Sequence, residues 1–403
     1  MLTKPHISPS FSYIPLEETL EIIPKRKKLF IGIPKETSFQ ENRVPLTPES
    51  VSVLIQNGHE VMIEHNAGEH SFYFDTDYSE AGARIVYDKK ELFTAQMIVK
   101  SAPISKEEVD MLQPNHVIIS PVHLPFLKVS MIEQLMKKKI IAITFDSIKD
   151  DAGIYPIVRS MSEIAGSSAI LTAAKYLGNM HNGKGILLGG ISGVPPAKVI
   201  IIGAGVVGEF ASRTALGLGA SVKVFDNSIY RLMRLQNNIG RRLYTSVIEP
   251  KELQEDLRTA DVAVGALKPV NGITPVVVTE EMVSYMKSGS VIIDVSIDRG
   301  GCFETSRVTS HEHPIYKRYD VIHYCVPNIA SGVSRTASRA ISNVLMPIIL
   351  DCSDSGGIEH LLQMKPGIRN GVYLYKGCVT NAPIAKRFNL NYTNLDLLMA
   401  NPL

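Results

Sequence analysis

The sequence predicts an α/β protein of two doubly wound domains with a catalytic cleft between them. Three observations lead there. From Leu29 onward, short apolar runs of strand length alternate with helix-length segments, the signature of βαβ units around a parallel sheet. A Gly- and Pro-rich stretch, GKGILLGGISGVPPAK at 183–198, reads as turns and short strands within the second of two such blocks. Immediately after it, an apolar strand run passes into Gly203-x-Gly205-x-x-Gly208 and then a helical segment. A chain of 403 residues is long enough for two or three domains of ordinary size.

In chain order, LFIGI (29–33) opens the first block as a strand. Thr47-Pro48-Glu49 starts a helix, with a capping hydroxyl and proline at the first helical position, and Asn57-Gly58 stops it. EVMIE (60–64), ARIVY (83–87), QMIVK (96–100), NHVIIS (115–120) and KIIAITF (139–145) are strands, with KKELFTA a helix before QMIVK. SMSEIAGSSAILTAAKYL (160–177) is a long helix opened by a Ser160/Glu163 capping box and closed by Gly178. VIIIGAGVVGEFASRTALGLGASVKVFD (199–226) reads as strand, glycine turn, helix and second strand. ADVAVGAL (260–267), SVIIDVSID (290–298) and HYCVPNIA (323–330) are further strands, TASRAISNVLMPIIL (336–350) a helix, and GVYLYKGCV a hairpin. Residues 1–28 form an extension in which LEETLEII makes two helical turns. Residues 156–334 form a Rossmann dinucleotide-binding domain. The apolar C-terminal segment is too short to stand alone, so 335–403 is expected to join 29–155 in one discontinuous substrate domain.

Composition excludes several classes. Lys and Arg number 42 against 40 Asp and Glu, so no strong field points to nucleic acid or an anionic membrane. Lys25-Arg26-Lys27-Lys28 is a short solvated basic run. No stretch of 18 apolar residues is free of charge, and the first residues lack a secretory apolar core. Cys302, Cys325, Cys352 and Cys378 form no C-x-x-C pair and no disulfide framework, which fits a reducing cytoplasm. His311-x-His313 and His65 with His70 lack metal-site spacing, so they are expected to be loop histidines and no metal is expected.

The glycine motif has the context that gives it meaning. Gly203 makes the tight turn, Gly205 lets the backbone approach a pyrophosphate, and Gly208 permits close helix–strand packing. Val206 and Val207 open the helix, whose unpaired N–H groups favour an anion. Asp226, at the end of the next strand, is placed to accept ribose hydroxyls and to repel a 2′-phosphate, so NAD is favoured over NADP. Leu267, closing ADVAVGAL, lines the same edge.

Ligands of open parallel sheets bind beyond the carboxyl ends of the strands. Four ionisable residues stand there: Arg43, Lys100, His123 and Asp298. Arg43 offers a fork for a carboxylate. Lys100 suits carbonyl polarisation or carboxylate anchoring, His123 proton exchange near neutral pH, and Asp298 orientation of water or receipt of an amine proton. Each has a bland reading: a surface ion pair for Arg43, a solvated strand end for Lys100, a loop hydrogen bond for His123 and a turn cap for Asp298. Their convergence on one sheet edge favours the functional one.

Five stretches carry a resemblance: IGIPKETSFQENRVPLTPESV (31–51), MSEIAG (161–166), GGISGVPPAKVIIIGAGVVG (189–208), DVSIDRGGCFETSRVT (294–309) and HYCVPNIASGVSRTAS (323–338). Together they resemble the alanine dehydrogenase and nicotinamide nucleotide transhydrogenase α-subunit family, its alanine dehydrogenase branch most closely. The resemblance implies reversible NAD-dependent conversion of L-alanine to pyruvate and ammonium, a homohexamer, and a first domain built from both chain ends. It implies that Arg43 binds the carboxylate, His123 is the acid/base group, Asp298 lies near the reacting carbon, Asn328 lines the nicotinamide end, and Ser162 and Asp226 contact the cofactor. One motif departs. The family lysine stands in K-x-K-E-P, whereas here the run is Val99-Lys100-Ser101-Ala102-Pro103, leaving Lys100 as the expected occupant of that role. Three other readings compete. A transhydrogenase-like NAD module would need membrane partners and lacks the acid at Asp298. A saccharopine- or opine-type dehydrogenase shares the Lys/His logic, and a silent NAD sensor would not need Arg43, His123 and Asp298 together.

Overall fold

The computed structural model describes residues 26–38, 40–124, 127–240, 242–268 and 272–400. The helix expected at LEETLEII lies outside them. The strands, in chain order, are β1 (Phe30–Ile33), β2 (Glu60–Glu64), β3 (Arg84–Val86), β4 (Met97–Val99), β5 (Val117–Ser120), β6 (Ile141–Thr144), β7 (Lys198–Ile202) and β8 (Ser221–Phe225). There follow β9 (Tyr244–Ser246), β10 (Val262–Gly265), β11 (Val291–Asp294), β12 (Ile315–Arg318), β13 (Val321–Tyr324), β14 (Val372–Tyr375) and β15 (Cys378–Val379).

They form two sheets. The first has the order β15-β14-β6-β5-β4-β1-β2-β3 and the second β12-β13-β11-β10-β7-β8-β9. Pairing within β1 to β6 is parallel, while β14 runs antiparallel to β6. Strands from near the C-terminus therefore extend the sheet begun by β1. The second sheet is parallel except for its edge pair β12–β13.

Both sheets are covered on two faces, which is why their central strands are continuous apolar runs. Ile31, Ile33, Val99, Ile119 and Ile143 pack with Ile341, Leu345 and Ile349 of the helix Ser334–Asp354. Val199, Ile201, Val264 and Ile293 pack with Ala169 and Ala173 of the helix Pro156–Leu177 and with Ala211 and Ala215 of the helix Val206–Gly217. Small residues let those two helices approach closely. A Cβ on Gly166 would stand 2.3 Å from the Val207 carbonyl oxygen.

Three sequence expectations need correction. The helix Pro156–Leu177 begins before Ser160, with Pro156 at its first position. The Ser160 hydroxyl donates back to the Pro156 carbonyl at 2.9 Å, and Glu163 pairs with Arg159, so no capping box forms. Thr47 does sit at a helix start, but its hydroxyl makes no backbone cap. It bonds the Glu49 carboxylate instead and holds that group below its ordinary pKa. Strands β9 and β12 were not anticipated, because they are short sheet edges with no fully buried side chain.

Candidate active site

The glycine turn lies between β7 and the helix Val206–Gly217, with Gly205 at the helix N-cap. Gly203 has φ +117°, and a Cβ there would lie 2.3 Å from the Ala266 carbonyl oxygen. A Cβ on Gly208 would lie 1.9 Å from the Gly203 oxygen, whereas one on Gly205 would meet nothing within 4 Å. Two glycines are thus required by packing. The third leaves an open approach to the N–H groups of Val206 and Val207, a concavity that fits a pyrophosphate.

Asp226 is buried after β8. Its Oδ2 accepts the Ala204 N–H at 2.8 Å and its Oδ1 the Ser228 N–H at 2.7 Å, with Arg231 Nη1 3.7 Å from Oδ2. The sequence reading made it a bare ribose acceptor; the structure gives it a prior task, fixing the glycine turn from below. Leu267 donates its N–H to the Ser296 hydroxyl at 3.0 Å, tying the ends of β10 and β11 together. Ser162 donates to the Val158 carbonyl at 2.7 Å on the helix Pro156–Leu177. Asp226→Ala is expected to weaken NADH binding about tenfold or more, the scale of lost hydrogen bonds to a charged group. Fluorescence titration checks this, and unchanged affinity would count against the assignment.

The second half of the site spans both sheets. Arg43 follows β1, and its Nε and Nη2 meet Glu41 Oε1 and Oε2 at 2.7 and 2.5 Å, with Nη1 3.3 Å from Met161 Sδ. Burial opposes its charge, but the Glu41 carboxylate outweighs that and raises its pKa. Glu41 Oε2 also accepts the Asn328 side-chain amide at 3.2 Å, and the Asn328 backbone N–H donates to Asp298 Oδ1 at 3.0 Å. Asn328 holds a left-handed conformation, φ +55°, which asparagine tolerates better than most residues. A continuous chain of contacts, Arg43–Glu41–Asn328–Asp298, thus crosses from one sheet to the other.

Asp298 lies on the single turn Val295–Arg299 after β11, ended by Gly300 at φ +106°. Solvent reaches it, yet surrounding protein raises its pKa against the pull of Asn328, His123, Arg299 and Arg43. His123 lies exposed in the loop after β5, close enough for its charge to act on Asp298 and Asp146.

Asp146 is a site residue the sequence reading missed. It sits on the turn Phe145–Ser147 directly after β6, and burial raises its pKa against the charges of His123, Arg43 and Arg299. The strand-end rule that selected Arg43 and His123 applies equally to KIIAITF-Asp146.

Lys100 is the clear correction. It is 1% exposed, and its Nζ donates to Glu36 Oε2 at 2.8 Å and Glu108 Oε1 at 2.9 Å. Glu36 also accepts the Ser101 and Ala102 N–H groups at 2.6 and 3.0 Å, and Glu108 pairs with Lys89 at 2.8 Å. Burial works against the ammonium, but the two carboxylates keep it charged and raise its pKa. A cation sealed between two carboxylates is not available to a substrate.

Residues 32–165 match the family description "Alanine dehydrogenase/PNT, N-terminal domain" and residues 169–382 match "Alanine dehydrogenase/PNT, C-terminal domain". The chain belongs to the alanine dehydrogenase/PNT family. It is 36% identical to "Alanine dehydrogenase 2" of Staphylococcus aureus (strain USA300), over 91% of this chain and 98% of the relative. Among solved structures, one titled "L-alanine dehydrogenase" superposes with TM-score 0.84 at 34% identity, covering 89% of this chain and 99% of the other. A transhydrogenase from Sinorhizobium meliloti shares the fold, with TM-score 0.74 at 23% identity over 88% and 99% of the two chains.

In this family member the loop bearing Arg43 is pinned from the far end of the sequence. The hydroxyls of Ser331, Ser338 and Ser342 accept the N–H groups of Asn42, Val44 and Thr47 at 2.9, 2.9 and 3.0 Å. Ser338 and Ser342 are one helical turn apart on Ser334–Asp354, so their hydroxyls face the same loop. Because that helix follows the second sheet directly, the placement of Arg43 is tied to the cofactor-side half of the molecule.

Proposed function

We propose that the chain catalyses NAD-dependent oxidative deamination of L-alanine: L-alanine, NAD+ and water give pyruvate, ammonium, NADH and a proton, reversibly. The observation that carries this reading is the cleft in which Arg43 and Asp298 are linked through Glu41 and Asn328, with His123 close enough for its charge to act on Asp298. Bound NAD supplies the acceptor for the α-hydrogen and its electron pair. The turn Gly203–Gly208, with Val206, Val207, Asp226, Leu267, Ser162 and Asn328, would hold it. Arg43 binds the substrate carboxylate through the guanidinium edge that Glu41 leaves open. His123 takes and returns the protons as water adds and ammonium leaves. Asp298, charged above its raised pKa, orients the amine or the water.

The reading includes residues 29–155 with 335–403 as the substrate domain and 156–334 as the NAD domain, supported by β14 and β15 extending the first sheet. It also includes a cytoplasmic homohexamer, on the resemblance. Exposed Leu187, Ile191, Val194 and Leu218 offer apolar surface for subunit contact.

The test follows NADH absorbance with ammonium and glyoxylate, pyruvate, 2-oxobutyrate or 2-oxoglutarate, with NADPH as control. Fastest ammonium-dependent oxidation with pyruvate and NADH is expected. Turnover only when a larger amine replaces ammonium would move the assignment to the saccharopine or opine type. Tight NADH binding without turnover would move it to a transhydrogenase-like or sensor role.

A further inference from the structure

The proposed substrate brings a carboxylate in both directions, and the cleft that must accept it already holds Glu41, Asp146 and Asp298. An unpaired carboxylate placed among them is costly, so the site needs positive charge to match. Lys100 cannot supply it, being sealed between Glu36 and Glu108. Arg43 supplies only part, because Glu41 already takes its Nε and Nη2.

Arg299 remains. It directly follows Asp298 on the turn Val295–Arg299. Its carbonyl accepts the Thr274 N–H at 2.9 Å, and the Gly300 and Gly301 N–H groups close back onto Ile297 and Ser296 at 3.0 and 3.1 Å. Both glycines hold positive φ. The backbone under Arg299 is therefore fixed. Its side chain is exposed and makes no hydrogen bond or ion pair with any described residue, although its charge reaches both Asp146 and Asp298. A guanidinium carried on a fixed backbone, within charge range of two carboxylates and paired to neither, suits a small carboxylate arriving beside them.

We propose that Arg299 is a second substrate anchor, receiving the carboxylate of the 2-oxo acid alongside Arg43 and taking the part that sequence spacing gave to Lys100. This rests on the alanine dehydrogenase reading.

The experiment compares wild type with Arg299→Gln and Arg299→Lys. Arg299→Gln should raise the KM for pyruvate by about ten- to a hundredfold, the scale of a lost charge-assisted bond. KM for ammonium, NADH affinity and melting temperature should stay at wild-type values. Arg299→Lys should recover part of the loss by keeping the charge. Because the Arg299 charge lowers the Asp298 pKa, its removal should also move the acid limb of kcat/KM to higher pH, which a purely structural role would not do. Calorimetric titration of pyruvate into the protein–NADH complex without ammonium gives an arm independent of turnover. Equal pyruvate affinity in wild type and Arg299→Gln, or an unchanged KM and pH profile, overturns the anchor. Failure of the alanine dehydrogenase reading looks different: wild type itself would show no ammonium-dependent NADH oxidation.

Discussion

Asp298→Asn is expected to lower kcat for pyruvate amination by roughly a hundredfold to ten-thousandfold, the range for a lost proton-handling group, without lowering the melting temperature at pH 7. The two halves of that result have one cause. The Asn328 N–H donates to Asp298 Oδ1, and asparagine presents an oxygen to the same donor, so the link toward Glu41 and Arg43 survives. The charge does not. In the folded chain burial raises the Asp298 pKa, so the folded state holds that proton more tightly than the unfolded one. Stability from this group is present at low pH and lost as pH rises through the raised pKa. At pH 7 the ionised carboxylate therefore costs stability, and its removal should leave the protein as stable or slightly more so. His123→Ala should fall in the same kinetic range with NADH affinity intact. Steady-state kinetics beside thermal melts check both. Near-normal turnover in either variant would remove that residue from the mechanism, and a large fall in the Asp298→Asn melting temperature would show that its charge is structural.

The parts of the molecule legible in sequence are those fixed by local patterning. Val199–Ile202 with Gly203, Gly205 and Gly208 announced a strand, a turn and a helix because each glycine answers a local steric demand. Strand ends marked Arg43, His123 and Asp298 because parallel sheets place ligands at that edge. What stayed hidden depends on contacts between residues far apart in the chain. The serine hydroxyls that hold the Arg43 loop lie 289 to 295 residues away from it, and serines on an apolar helix look like ordinary neutral positions. Asp146 was within reach of the same strand-end rule, since its turn directly follows β6, but its burial beside His123, Arg43 and Arg299 shows only in three dimensions. Lys100 was misplaced for a related reason. Its position at a strand end was right, but Glu36, from the loop after β1, and Glu108, from the helix Lys106–Met111, converge on it only in three dimensions. Spacing tells which edge a residue occupies, not whether an oppositely charged side chain has already claimed it.

Lys100→Met should therefore cost folding stability first and activity only as a consequence. The substitution keeps the length and apolar stem of the side chain and deletes its charge. Glu108 retains Lys89 as a partner, but Glu36 is left with only the Ser101 and Ala102 N–H groups. Breaking a buried pair by removing one member typically costs about 3–5 kcal/mol, because the other charge stays desolvated. For domains of this size that corresponds to a fall in melting temperature of roughly 10 °C. Burial already raises the Glu36 pKa even with Lys100 present. Without the ammonium the pKa rises further, and the folded state relieves the strain by taking up a proton. The deficit should accordingly be smaller at pH 5 than at pH 8, and Glu36→Gln added to Lys100→Met should restore part of the loss at pH 8. A lysine that served the chemistry would give the reverse pattern: a normal melting temperature, collapsed turnover, and no benefit from a change at Glu36. Thermal melts of the single and double variants at the two pH values separate these cases. A Lys100→Met protein that melts with wild type but cannot turn over would return Lys100 to the active site.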